Sequence, residues 1–373
     1  MEDEIENDGN TSIVIDNGSF NIKAGFGGDE GPKIVIRNVI GENKYDYGKI
    51  EGDEKKIFIG EEALRKIDKL NIKFPMKRNI IKDWDIMEKI WKHIFKNELK
   101  VNPEEYKILI TQPIKNIKEN KEKIAEIMFE SFNIPGLYLA DSTELSLYGT
   151  GKFTGMVIDM GDGSTQFSPI FDGLLLKDKY KRINIGGKDI TKYMRKILNK
   201  KGFKLEKIYG KYTSNVIKEK ACFFPLPDEK VEIFEYKLPD GNCINLKEER
   251  FNCPEAILFN PLLKLDERKS FVEICNNLIQ KCDIFIKKDL YQSIILSGGN
   301  SMFKGLPERF TKEIKDLVNK SMKEKINIIA PPERKFTAWI GGSSLASISN
   351  FENFWISKKE YTESGPNIII KRF

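Results

Sequence analysis

The chain has 373 residues, of which 40% are hydrophobic and 32% charged, and its 62 Lys and Arg against 56 Asp and Glu leave a net charge of +6. That length predicts two or three domains with enough chain for a core in each, and no run of about 18 apolar residues marks a membrane span. One histidine, and five cysteines without CxxC spacing, argue against histidine triads, His-rich metal sites, zinc ribbons and dithiol redox motifs.

Lysines interleaved with glutamates, as in Lys118-Glu119-Asn120-Lys121-Glu122-Lys123, describe solvated faces, so no direct nucleic-acid binding is expected. The chain opens with Glu2, Asp3, Glu4, Glu6 and Asp8 rather than a signal-type segment, which sets the expectation of a cytosolic or nuclear protein. Reduced, mostly buried thiols are expected at Cys222, Cys243, Cys253, Cys275 and Cys282.

In chain order, the first strong signal is Ile13 to Phe26. A β-branched run ends in Asp16, passes through Asn17-Gly18-Ser19 and resumes as an alternating stretch, the pattern of a β-hairpin. Amides of such a turn can point together at an anion, while Asp16 can hold a cation through water and Lys23 can reach a phosphate. Residues 29 to 37 continue the sheet, and 41 to 56 are polar and glycine-punctuated. A helix follows Gly60, and Asp85 with Glu88 predicts a capping box for an amphipathic helix ending near Leu99. His93 falls on its polar side. A strand at Lys107 to Thr111, a helix at Lys118 to Phe132, a strand at Leu137 to Ala140 and a further helix predict a mixed α/β layer with parallel pairs.

The opening phrase then recurs. Met156-Val157-Ile158-Asp159-Met160-Gly161-Asp162-Gly163-Ser164-Thr165-Gln166-Phe167 is again an apolar strand, an acid, a glycine-rich turn and a second strand. A lone turn of this kind is most often only a turn, whereas two matched copies point to duplicated lobes facing each other across a nucleotide. Gly186-Gly187-Lys188-Asp189 opens a helix, Val216 to Lys220 lies on the next, and 231 to 252 reads as a hairpin about Pro239-Asp240-Gly241-Asn242. A helix at 270 to 288 precedes the strand Ser293 to Leu296, which runs into Ser297-Gly298-Gly299-Asn300-Ser301-Met302, a junction that lets a ligand approach the backbone.

Taken together these phrases resemble the actin family over essentially the whole chain. The matching stretches include Asp16-Asn17-Gly18-Ser19, Lys23-Ala24-Gly25-Phe26, Trp84-Asp85-Ile86-Met87-Glu88-Lys89-Ile90-Trp91, Leu145-Ser146-Leu147-Tyr148, Leu296-Ser297-Gly298-Gly299 and Ile329-Ala330-Pro331-Pro332-Glu333-Arg334-Lys335. The resemblance implies an α/β actin-like ATPase fold: two duplicated lobes, four subdomains, and ATP or ADP with Mg2+ in a central cleft, an architecture shared with sugar kinases and heat-shock chaperone ATPases. Subdomain 1 would comprise 1–37, 75–149 and 337–373, subdomain 2 would be 38–74, subdomain 3 would be 150–185 and 268–336, and subdomain 4 would be 186–267.

Carried over by position, Asp16, Asp159 and Asp162 resemble the acids around Mg2+. Ser19, Phe20, Asn21 and Lys23, with Gly161, Asp162 and Gly163, resemble the phosphate loops, and Gly187, Lys218, Glu219, Gly299, Met302 and Lys335 resemble the adenosine side. Phe20 departs from the family's small residue and brings bulk to the loop. Ser142 and Gln166 stand where actins carry the glutamine and histidine that position the attacking water, so slow hydrolysis is expected. Ser142 can instead cap its helix together with Asp141 and Glu144.

Departures at Tyr45 to Glu51 and at Leu262 to Ser270, both charged, fall where actins polymerise. The expectation is a divergent actin-like cytoskeletal protein whose Mg-ATP state controls conformation and assembly, in the cytoplasm or the nucleus, with other actin-like subunits and actin-binding proteins as partners. The alternatives are a scaffold subunit of a centractin-type or chromatin-remodelling complex, and, disfavoured by the actin phrases, a sugar kinase. A groove between Tyr148-Gly149-Thr150-Gly151 and Leu345, Ile348 and Phe354 is the expected partner face.

Overall fold

The computed structural model describes residues 11–44, 57–203, 207–226, 229–238, 241–259 and 269–373. The chain divides into two compact units, Met1–Gly151 with Phe336–Phe373, and Lys152–Lys335. The charged tip expected at 45 to 51, most of the charged turn at 262 to 270 and the Pro239-Asp240 half of the predicted hairpin turn lie outside the described residues.

The first unit is built on a six-stranded sheet. Strands Ser12–Asn17 and Asn21–Phe26 form the predicted antiparallel hairpin, Ile34–Arg37 extends it, and Lys107–Gln112 and Gly136–Asp141 add parallel strands on the other side of Ser12–Asn17. Alternation along the strands decides what covers each face. Ile13, Ile15, Ile108 and Ile110 pack with Trp91, Phe95 and Met128, whereas Val14, Leu109 and Ala140 pack with Leu145 and Trp339. Each of these isoleucines is fully buried, worth about 1.5–3 kcal/mol of transfer free energy. A separate three-stranded sheet, Ile40–Asn43 with Ile57–Ile59 and Leu70–Lys73, closes over its own small cluster of Phe58, Ala63 and Leu70.

The second unit repeats the scheme. Strands Gly155–Met160 and Thr165–Phe171 are an antiparallel hairpin, and Ile294–Ser297 followed by Ile328–Ile329 add parallel strands beside the first of them. One face carries Met156, Ile158, Phe167, Ile294 and Leu296 into a core completed by the helices Gly187–Lys200, Lys207–Ala221 and Phe271–Gln280. The hairpin expected at 231 to 252 is present as Phe234–Lys237 paired with Cys243–Leu246.

Three local expectations are corrected. The helix expected to start at a capping box of Asp85 and Glu88 is Trp84–His93, capped by Asp83, whose carboxylate accepts from the Ile86 amide at 3.1 Å. Any short acid just before an apolar repeat can cap, and the one whose backbone is still extended does so. That helix and Lys118–Glu126 each continue into a widened π-type turn, Ile94–Leu99 and Ile127–Ser131. The single helix expected at 270 to 288 is two, Phe271–Gln280 and Ile284–Gln292, because Asp283 accepts from the Phe285 amide at 3.0 Å and starts a new one.

Candidate functional site

In the first unit the site residues lie at the turn end of the hairpin. Cross-strand pairing sets Lys23 opposite Asp16, and Lys23 Nζ reaches Asp16 Oδ2 at 2.6 Å. The other carboxylate oxygen accepts from Thr111 Oγ1 at 2.9 Å, and the same hydroxyl accepts from the Asn17 amide at 3.0 Å. Asp16 is thus fixed from two neighbouring strands. Lys23 has three donors and one is spent on the acid, which leaves it able to hold a phosphate oxygen as well.

Ser19 hydrogen-bonds Asn79 Oδ1 at 2.6 Å and accepts from the Asn79 amide at 3.0 Å. Asn79 and Arg78 both have positive φ, 58° and 56°, the two-residue turn between Met76–Lys77 and Ile80–Ile81. Asn38 Nδ2 donates to the Gly18 carbonyl at 2.9 Å, so the turn is braced by two asparagines that sequence reasoning did not single out. The Phe20 ring lies against strand Ile34–Arg37, with the Arg37 guanidinium 3.4 Å from its centroid, and its carbonyl accepts from the Asn38 amide at 3.0 Å. Asn21 Oδ1 is buried without a hydrogen-bond partner among the described residues. Ser142 is the first residue of the helix Ser142–Tyr148, and the cap position is Asp141 rather than Ser142.

In the second unit the glycine-rich turn is held by backbone and amide contacts. Asn300 Nδ2 and the Gly187 amide both donate to the Gly161 carbonyl, at 2.6 and 3.1 Å, and the Lys188 amide donates to the Asp162 carbonyl at 3.2 Å. Gly187 is demanded by this approach, since a Cβ there would lie 2.7 Å from Asn300 Oδ1 and 3.0 Å from Asp162 Oδ1. Gly298, at φ 85°, brings the second strand-to-glycine junction against Asp159, where a Cβ would lie 2.7 Å from Oδ1. Asp159 Oδ2 accepts from Gln166 Nε2 at 3.2 Å, and Gln166 is fully buried. On the next strand Gln166 faces Arg182, whose guanidinium burial pulls below its ordinary pKa.

The residues expected on the adenosine side lie on the helices Gly187–Lys200 and Lys207–Ala221 and at the Gly298-Gly299 junction. Lys218 is 4% exposed and donates only weakly, to the Gly187 carbonyl at 3.4 Å, while Glu219 accepts from Asn215 Nδ2 at 2.9 Å. A buried ammonium of this kind is expensive unless an oxygen ligand joins it. Gly299 has nothing within 4 Å of where a Cβ would stand, so a ligand can come up to its backbone. Met302 ends that turn at 37% exposure, and exposed Lys335 follows Arg334, whose carbonyl accepts from the Gly298 amide at 3.1 Å.

The structure therefore gathers Asp16, Ser19, Phe20, Asn21 and Lys23 in one unit, and Asp159, Gly161, Asp162, Gly163, Gly187, Lys218, Gly299, Met302 and Lys335 around two adjoining junctions of the other. Sequence reasoning missed Thr111, Asn79 and Asn300. Asn300 directly follows the double glycine, and that position was the available signal. Among the described residues no three His, Cys, Asp or Glu side chains converge as a metal cage. Carboxylates presented one or two at a time suit Mg2+, which keeps most of its shell as water and phosphate oxygens.

Fold and site define a duplicated α/β protein in which two acid-ended hairpins precede glycine-rich junctions. The Actin family model matches residues 7–223 and 210–373, and the chain belongs to the actin family, whose members generally bind nucleotide and Mg2+ and assemble with other proteins. Among the described residues no helix is long and apolar enough to cross a membrane.

Proposed function

We propose that this protein binds ATP or ADP with Mg2+ through the two hairpin turns, that the bound nucleotide sets its conformation and its assembly with actin-like subunits and actin-binding proteins, and that it turns ATP over slowly. The setting proposed is the cytoplasm, within the cytoskeleton. The observation that carries the reading is the matched pair of acids, Asp16 and Asp159, each at the end of a buried strand and each fixed by a side-chain donor at Oδ2. Buried Lys218 supports the nucleoside end.

In this reading Lys23 and the amides of Ser19, Phe20, Gly161, Asp162 and Gly163 bind phosphate oxygens. Asp16, Asp159 and Asp162 hold the hydrated cation, and Gly187, Lys218, Glu219, Gly299, Met302 and Lys335 hold the nucleoside. Bound Mg2+ supplies neutralisation of the phosphate charge. Phosphoryl transfer then depends on an oriented water. Ser142 is too short to span to it, and Gln166 spends an amide proton on Asp159 and takes up no proton at neutral pH. Each lost orienting contact typically costs on the order of 10²-fold in rate.

Replacing Asp159 by Ala should weaken nucleotide retention and lower the melting temperature measured in ATP, because a ligand bound to the native state stabilises it by mass action. Retention equal to wild type would remove the case for the site. The faces offered to partners include Ile348 and Phe354, 52% and 56% exposed, beside half-buried Tyr148 and Leu345 of the first unit.

A further inference from the structure

The Asn17-Gly18-Ser19 turn of the first unit rests on sulfur. Asn38 Nδ2 donates to the Gly18 carbonyl at 2.9 Å and to Met76 Sδ at 3.1 Å. Asn17 Nδ2 reaches the same sulfur at 3.9 Å and Met87 Sδ at 3.9 Å, while Asn17 Oδ1 accepts from Trp91 Nε1 at 3.3 Å. Both asparagines are buried, and Met76 Sδ is the acceptor they share. A thioether is a weak acceptor, and it is also open to oxidation, which turns an apolar side chain polar.

The two methionines differ in access. Met87 is fully buried on the helix Trp84–His93, whereas Met76 is half-buried on the short strand Met76–Lys77, next to exposed Lys77. The backbone on both sides of Met76 is held. The Pro75 carbonyl accepts from the Lys82 and Asp83 amides at 2.8 and 3.2 Å, and three residues beyond Met76 the Asn79 amide and Oδ1 grip Ser19. An oxygen added to Sδ on the side of Asn38 has no room in the 3.1 Å now spanned to Nδ2. Asn38 must then back away, and Asn38 is what holds the Gly18 carbonyl.

We propose that Met76 is a modification site: oxidation of its thioether to the sulfoxide draws Asn38 off the Gly18 carbonyl and loosens the hold of this turn on phosphate. In the step, the Sδ lone pair attacks one oxygen of hydrogen peroxide, the S–O bond forms as the O–O bond breaks, and water leaves. Sulfur gives up two electrons and the peroxide takes them. Methionine sulfoxide reductases return the thioether, so the change is reversible. The proposal rests on the reading above in which this turn binds phosphate.

The experiment treats the full chain with hydrogen peroxide for increasing times. Peptide mass spectrometry reads the sulfoxide at each methionine, titration with a fluorescent ATP analogue in Mg2+ reads affinity, and thermal unfolding without ligand checks that the chain stays folded. Met302, 37% exposed and assigned to the nucleoside, oxidises too, so the time courses and a variant separate the two sites. Met87 should stay reduced in the folded chain. Affinity should fall about fivefold or more, at least the worth of one lost hydrogen bond, in step with sulfoxide at Met76 rather than at Met302. The reductases should restore it. Met76→Leu keeps the volume and removes the oxidisable sulfur, so it should bind the analogue within about threefold of wild type and hold that affinity through the Met76 time course. If Met76→Leu does not fold, the wild-type time courses decide.

Wild-type affinity in chains oxidised at Met76, a loss that follows Met302 or persists in Met76→Leu, or a Met76 that stays reduced as long as Met87 would each overturn the proposal while leaving nucleotide binding intact. An untreated wild-type chain that binds no analogue would overturn the nucleotide reading itself and this proposal with it.

Discussion

Tyr138 stands edge-on to Phe351, Trp355 and Phe373, with ring centroids 4.7, 6.2 and 4.7 Å away. Burial raises its phenol pKa from 10.0 to about 12, with the Glu144 charge adding to the effect, and burial does the same for Tyr148. The unfolded chain gives up these protons near pH 10 and the native chain only near 12. Their contribution to stability is therefore intact below pH 10 and is lost as pH rises toward 12. The melting temperature should fall across that window, and Tyr138→Phe should flatten the fall. An equally steep fall in Tyr138→Phe would show that Tyr138 does not titrate as its burial dictates. Phe20 makes the complementary point about single residues. Its bulk sets the expectation of crowding in the hairpin turn, whereas its ring has an Arg37 guanidinium 3.4 Å away.

Among elements, the helices Ser142–Tyr148 and Thr337–Ala346 approach backbone to backbone. A Cβ at Gly341 would lie 1.8 Å from the Leu145 carbonyl oxygen, and one at Gly149 would lie 2.3 Å from that of Thr337. Neither carbonyl can yield without a helix moving, so Gly341→Ala should destabilise the chain by about 2–4 kcal/mol. Thermal unfolding checks it, and a melting temperature equal to wild type would mean that the helices can separate at little cost. Elements of this kind were legible in the sequence where periodicity and turn chemistry agree, as in both hairpins and the strand at Lys107 to Thr111. Boundaries were less legible. Asp83 and Asp85 are equally good caps by type, and Asp283 interrupts a continuous apolar pattern at 270 to 288 through one local hydrogen bond. The site acids were legible from the repeated phrase, whereas their partners were not. Thr111 and Gln166 meet Asp16 and Asp159 through strand register, which no local motif encodes.

At the scale of the molecule, membership of the actin family raises the question of assembly. Tyr45-Asp46-Tyr47-Gly48-Lys49-Ile50-Glu51 and Leu262-Leu263-Lys264-Leu265-Asp266-Glu267-Arg268-Lys269-Ser270 carry charge where the resemblance to actins leads one to expect the polymerising surfaces. Burying such segments requires stripping water from ions for little apolar gain, at about 25 cal/mol per Å2. In Mg-ATP at raised salt a conventional actin should pellet while this protein stays largely in the supernatant. Long filaments of the pure protein at low micromolar concentration would contradict that expectation.

On the proposed function the chain holds ATP and seldom cleaves it. Single-turnover phosphate release from protein loaded with ATP, with bound nucleotide counted in the same sample, tests this most directly. Near-stoichiometric nucleotide, release far slower than from filamentous actin, and a faster rate when Ser142→Gln and Gln166→His are combined are the expected results. Release as fast as that of filamentous actin, or a chain that retains no nucleotide, would contradict the proposed function.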